Sequence, residues 1–251
     1  MIDLPWTTLL CSALTVIGAY TVYGLTGFGA VIVAVPLLAH FFSLRFAVPL
    51  VLIFDLFAGA LLGLRHRKQI DRRELLRLMP YLLVGMLGGV TLLVKADEGA
   101  LLLVLGLFAL GYSAWSLLNR SAPQPVGAGW AAPTGLVGGA FTALYGTGGP
   151  LYAIYLARRQ PDKDVLRATM GVLIFITAVL RLGLFTGSGF YTQPGLIALG
   201  LLLLPCALLG YVLGSRLHAR LPAARAIQAV WWLLILSGSS LVWRSLGLLL
   251  A

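Results

Sequence analysis

The chain has 251 residues, of which 60% are hydrophobic and only 10% charged, and its mean hydropathy is +0.97. Soluble domains carry about 25% charged residues, so this composition excludes a soluble globular fold and indicates an all-α, polytopic integral membrane protein. The net charge of +10 does not imply a nucleic-acid partner, because Lys and Arg fall between apolar blocks without building an aromatic-laced basic face.

Charges divide the sequence into eight apolar blocks, at 7–43, 46–64, 75–94, 98–118, 128–157, 165–186, 195–213 and 226–250. Six have the length of single spanning helices, while the first and fifth exceed the roughly 20 residues that cross a bilayer once. Each long block is split by glycines, at Gly24 to Gly29 (GLTGFG) and at Tyr145 to Pro150 (YGTGGP), with Gly146 standing 119 positions after Gly27. Non-helical backbone at bilayer depth survives only inside protein or beside a water-filled cavity.

Met1-Ile2-Asp3-Leu4-Pro5 carries no Lys or Arg, and the apolar run after it is longer than a signal-peptide core, so it reads as a membrane element rather than a cleavable signal. Cys11 and Cys206 lie in apolar segments without metal-ligand spacing and read as small buried residues. His40, His66 and His218 stand at block ends or in basic loops and read as solvated. No metal site and no cofactor is expected.

The basic residues decide how the long blocks run. If every block crosses once, Lys and Arg divide nearly evenly between the two sides, against the positive-inside rule. If blocks one and five each enter and return, 14 of the 18 gather on one side: Arg65, Arg67, Lys68, Arg72, Arg73, Arg77, Arg120, Arg158, Arg159, Lys163, Arg167, Arg216, Arg220 and Arg225. Arg45, Lys95 and Arg244 fall outside, with Arg181 inside a span. The expected fold is two inverted-topology repeats, each a glycine-broken hairpin followed by three transmembrane helices, with the N-terminus outside. The first repeat is 1–118, the polar linker 119–129 and the second repeat 130–251, together making one transport domain. Such repeats are common in secondary transporters, which bind substrate near midplane where broken helices meet.

Gly27-Phe28-Gly29 followed by Val35-Pro36-Leu37-Leu38, a basic loop after the next helix, and the second break Gly146-Thr147-Gly148-Gly149-Pro150 together resemble the TauE/SafE sulfite exporter family, also called the four-toluene-sulfonate uptake permeases. The resemblance covers essentially the whole chain. It implies a multi-pass protein of the bacterial inner membrane that moves a small sulfur-containing anion such as sulfite, a sulfonate, sulfoacetate or thiosulfate. Protons or sodium ions are the coupling ions to consider, membrane lipid is the surroundings, and a homodimer is compatible with it. The chain departs from the family pattern at Ala30 and Val31, where further glycines are common.

Gly27, Gly29, Gly146, Gly148 and Gly149 have two readings. They let helices pack closely, or they expose N–H groups at half-helix N-termini that bind an anion, with Phe28 inside the first break and Thr147 or Thr26 adding a hydroxyl. Arg181, in Val179-Leu180-Arg181-Leu182, either snorkels to the outer interface or faces inward as the countercharge of the substrate. Asp55 lies in midblock, either as the partner of Arg181 or a backbone group, or as an acid whose protonation couples transport. Tyr145, Tyr152 and Tyr155 flank the second break as packing or interface aromatics. An intramembrane enzyme is disfavoured because the sequence has no HExxH and no GxSxG, and the two broken blocks argue against a scaffold. A channel would differ from a carrier in kinetics alone.

Overall fold

The computed structural model describes residues 5–26, 29–65, 70–118, 125–160, 162–218 and 223–250. Among these the chain is helical throughout, with no strand: α1 (Trp6–Thr26), α2 (Ala30–Leu38), α3 (Leu44–Arg65), α4 (Arg72–Lys95), α5 (Glu98–Leu118), α6 (Ala131–Tyr145), α7 (Gly149–Ala157), α8 (Lys163–Gly187), α9 (Leu196–His218) and α10 (Ala223–Leu250). Five stretches are long and apolar enough to cross a bilayer, namely Trp6–Leu25, Arg72–Lys95, Glu98–Leu118, Ala168–Gly187 and Leu196–Leu217. Large apolar side chains such as Leu14, Leu76, Leu201, Leu236 and Trp243 face outward, as they do where the surrounding solvent is lipid. The protein is a polytopic helical membrane protein.

Both long blocks break at the glycines. α1 ends at Thr26 and α2 begins at Ala30; α6 ends at Tyr145 and α7 begins at Gly149, so both boundaries are offset by 119 residues. α2 and α7 each have nine residues, and α3 and α8 begin at Leu44 and Lys163 with the same offset. Gly29 and Gly146 take left-handed backbone, with φ of 94° and 74°, a region that side-chain-bearing residues enter only at a cost. Gly27 and Phe28 lie outside the described residues, as do Asn119 to Gln124 of the linker.

Contacts between helix ends fix the path of each broken pair. At one end of the bundle Arg45 donates to the carbonyls of Leu93 (3.0 Å), Val94 (3.1 Å) and Ala96 (2.8 Å), and the Leu44 amide donates to Glu98 Oε1 at 3.1 Å. Gln193, just before α9, donates to the Arg45 carbonyl at 2.9 Å, and Arg244 bonds the Ala39 carbonyl at the end of α2. At the opposite end the Asp71 amide donates to Thr169 Oγ1 at 3.0 Å, and Arg159, just after α7, donates to the carbonyl of Val126, ahead of α6, at 3.2 Å. The α6–α7 pair therefore enters and returns at that second end. α1 runs parallel to α9, Ile17 against Gly210 and Thr21 against Gly214, so it starts at the first end, where α2 finishes.

The closest packings are α4 on α6, α1 on α9 and α5 on α10, each joining a helix of residues 1–118 to one of residues 130–251. Small residues make them possible. A methyl group on Gly85 or Gly89 of α4, or on Gly139 of α6, would meet the backbone of the facing helix, and the same holds for Gly24, Gly210 and Gly214 between α1 and α9. Helices in lipid associate through such close approach, since apolar burial alone does not drive them together.

Pro49 lies inside α3 and cannot donate to the carbonyl four residues back, that of Arg45. Gln193 supplies the missing donor, and Tyr191 donates to the Pro49 carbonyl at 3.3 Å. Burial pushes the Tyr191 hydroxyl up to about 12, so it stays protonated and able to donate. Two expectations are corrected. Cys11 is exposed on the outer face of α1 rather than buried, because that face has no helix against it. His40 is half-buried rather than solvated, its ring nitrogens 2.8 Å from Ser240 Oγ and 2.9 Å from the Pro36 carbonyl.

Candidate functional site

The two breaks meet around one cavity of about 40 Å³. Gly29, Ala30 and Val31 bring the start of α2 to its wall, and Gly146, Thr147 and Gly149 bring the second break and the start of α7. Thr142 of α6, Tyr152 of α7, Asp55 of α3 and Arg181 and Thr177 of α8, with Tyr23 of α1, complete its polar lining. The opening amides of a helix lack intrahelical partners and carry partial positive charge. The starts of α2 and α7 therefore face a space walled by protein, although in α7 Pro150 has no amide hydrogen and the Leu151 and Tyr152 amides already donate to the Gly148 carbonyl.

Arg181 and Asp55 are 2% and 5% exposed. Arg181 Nη2 donates to Asp55 Oδ2 at 3.2 Å, and Nη1 donates to the Thr142 carbonyl at 3.1 Å. That carbonyl lies in the last turn of α6, where the helix dipole favours a cation. The guanidinium carbon stands 5.9 Å from the ring centroid of Phe185, within cation–π range. The other oxygen of Asp55 accepts from Tyr20 Oη at 2.7 Å. An isolated charge at this depth is costly, and each group meets the need of the other.

The pair leaves some donors unused. Among the described residues Arg181 Nε has no hydrogen-bond partner, and neither has Thr147 Oγ1, although both atoms are buried. Buried polar groups are nearly always satisfied, so an unsatisfied one calls for a reason. Both belong to residues lining the same cavity.

Gly146 allows this arrangement twice over. Its φ of 74° suits glycine, and a Cβ there would lie 2.5 Å from Arg181 Nη1 and 2.5 Å from Val31 Cγ1. The missing side chain is the space that Arg181 fills.

Of the residues singled out from sequence, Gly29, Gly146, Thr147, Gly149, Arg181 and Asp55 line the cavity. Gly148 does not. It packs against Thr142 and the Gly138 carbonyl, where a side chain would collide, so its contribution is close approach of α7 to α6. Gly27 and Phe28, and the side chain of Thr26, lie outside what the structure describes. Arg181 faces inward and does not snorkel, because Asp55 and the Thr142 carbonyl hold it. Tyr145 is buried and donates to the Leu101 carbonyl at 2.8 Å, a packing role.

Sequence reasoning missed Tyr20, Thr142 and Glu74. Tyr20 and Thr142 are polar residues inside apolar runs, a signal present in the sequence, but nothing in their spacing ties them to Asp55 or Tyr152. Thr142 Oγ1 lies 2.9 Å from Tyr152 Oη across the α6–α7 turn. Glu74 opens α4 among arginines and was hidden by them. It is 3% exposed, accepting from Tyr155 Oη at 2.6 Å and from Arg159 Nη2 at 2.8 Å, with Arg77 also bonded to it.

A family model described as "Sulfite exporter TauE/SafE" matches residues 12–241. The chain is 32% identical over 202 residues, 78% of its own length and 83% of the relative's, to the probable inner membrane transporter protein TsaS of Comamonas testosteroni. No solved structure matches. The family match spans both helix breaks, the cavity between them and the Arg181–Asp55 pair, and the chain belongs to the TauE/SafE sulfite exporter family.

Proposed function

We propose that this membrane transporter of sulfur-containing anions is a secondary active carrier of the bacterial inner membrane, its N-terminus outside, that binds one compact sulfur oxyanion at a time between the two helix breaks. The observation that carries the reading is the pair of buried, unsatisfied donors, Thr147 Oγ1 and Arg181 Nε, on one cavity with the starts of α2 and α7. An oxyanion supplies acceptors to both donors. A water needs roughly 10–15 Å³ of such space, so a cavity of about 40 Å³ suits sulfite better than a bulky sulfonate.

Binding also sets up coupling. An anion that draws Arg181 toward itself weakens the hold on Asp55, and a buried carboxylate losing its counter-ion favours the protonated form. Proton entry at Asp55 would then accompany anion binding. The shared offset of 119 residues, the opposite ends at which the broken pairs enter, and the pairing of helices between the halves support an inverted repeat and alternating access by rocking of its halves.

The test is counterflow of radiolabelled sulfite in proteoliposomes. Saturable uptake driven by internal unlabelled sulfite, and by an imposed pH gradient in the wild type alone and not in Asp55→Asn, supports the proposal. Non-saturating flux without counterflow would make the protein a channel, and coupling preserved in Asp55→Asn would remove Asp55 from that role.

A further inference from the structure

Glu74 sits at the end of the bundle where α6 and α7 enter and return. Its carboxylate accepts from Arg159 Nη2 at 2.8 Å and Nε at 3.1 Å, from Arg77 Nη1, and from Tyr155 Oη at 2.6 Å. The carboxylate is nearly inaccessible, while the side chains of Arg77 and Arg159 are 24% and 30% exposed. Two guanidinium groups and a phenol converging on one carboxylate make an anion-binding arrangement whose present occupant belongs to the chain itself. A second carboxylate, that of Asp71, stands within electrostatic reach of Arg159 and bonds Gln160 beside it.

The position of this cluster relates it to the cavity. Tyr152, Tyr155 and Arg159 follow at spacings of three and four along α7 and the turn after it, which puts them on one face. Tyr152 lines the cavity and meets Thr142, and Tyr155 stands about 5 Å further along the axis at 1.5 Å per residue. An anion that left the cavity along this face would meet the arginines that Glu74 occupies.

We infer that Arg77, Arg159 and the Tyr155 hydroxyl form a second anion site, one turn of α7 from the cavity, in which the Glu74 carboxylate is the resident anion and which the transported oxyanion enters by displacing it. The inference rests on the transport reading above. Glu74 closes this end while it holds Arg159, because Arg159 also bonds the Val126 carbonyl ahead of α6 and so ties both ends of the broken pair to α4. The arriving oxyanion offers the same acceptor chemistry as Glu74. Displacement thus exchanges one charge-assisted set of bonds for another and removes the Glu74 tie between α4 and α7, leaving the bond from Gln160 to the α4 cap Asp71.

The experiment is isothermal titration of the purified full chain with sodium sulfite. Glu74→Gln keeps the side-chain shape and removes the competing charge, so it should bind one more class of sulfite than the wild type, and Glu74→Gln with Arg159→Gln should lose that added class. A Glu74→Gln protein that melts cooperatively and binds no more sulfite than the wild type overturns the inference. If Glu74→Gln does not fold, Glu74→Asp retains the charge on a shorter stem; it should show the added class at lower affinity, and its absence is equally fatal. A wild type that binds no sulfite beside a Glu74→Gln variant that binds it would reject the cavity as the sulfite site while leaving this second site standing.

Discussion

Arg181 of α8 and Asp55 of α3 bridge the two helices that begin 119 residues apart, with 3.2 Å between Nη2 and Oδ2. Removing one partner of such a buried pair leaves the other uncompensated, at a cost of about 3–5 kcal/mol. Arg181→Met should therefore lower the melting temperature markedly, and Arg181→Met combined with Asp55→Leu should recover most of it. Neither variant should transport sulfite. Thermal melting and proteoliposome uptake measured together check this, and a double variant that regains transport with stability would make the pair purely structural.

Thr147→Val separates binding from folding. The hydroxyl is buried and has no partner among the described residues, so replacing it by a methyl of similar shape removes an unsatisfied group and should leave stability unchanged or slightly higher. A hydrogen bond to a charged ligand contributes about 1.5–3 kcal/mol, so KM for sulfite should rise by roughly tenfold or more. Unchanged KM would take Thr147 out of the site.

How far the sequence reached follows from which interactions leave a local trace. The break positions were legible because glycines interrupting apolar blocks are a chain-local signal, and the structure breaks α1 and α6 around them. The charge-based expectation that each long block returns on itself drew on a property of whole loops. Asp55 and Arg181 stood out as charges in apolar surroundings, and their pairing was one of the readings open for Asp55. Tyr20 bonding Asp55 across 35 positions, and Glu74 collecting donors from α7, left no such trace, since both depend on how helices distant in sequence cross. Gly148 shows the converse limit. It looked like its neighbours in the motif, and only the approach of α7 to α6 gives it a different task.

Gly146→Ala tests the space that Arg181 uses. The left-handed backbone costs an alanine about 1–2 kcal/mol, and the new Cβ would meet Arg181 Nη1 and Val31 at 2.5 Å. The variant should lose stability by more than the backbone term alone and lose sulfite uptake almost completely. Gly18→Ala is the control, because a methyl there meets nothing within 4 Å and a mid-helix glycine is less favourable than alanine by roughly 0.5–1 kcal/mol. It should transport normally and melt no lower than the wild type. Equal effects at both positions would show that general helix perturbation, and not the Arg181 contact, accounts for the loss.

Orientation is open to direct chemical reading. The turn after α2 carries Phe41, 45% exposed, and the start of α6 carries Trp130, 60% exposed. The two lie at opposite ends of the bundle, since the α2 end meets Arg244 and the α6 entry meets Arg159. In a background where Cys11 and Cys206 are replaced by serine, Phe41→Cys should react with a membrane-impermeant maleimide added outside intact cells. Trp130→Cys should react only after the membrane is opened, because its end carries Arg72, Arg77, Arg158 and Arg159 and basic residues stay on the cytoplasmic side. Labelling of both from outside would place the two broken pairs on one side and remove the inverted repeat. The reverse pattern would keep the repeat and turn the molecule over, with the N-terminus inside.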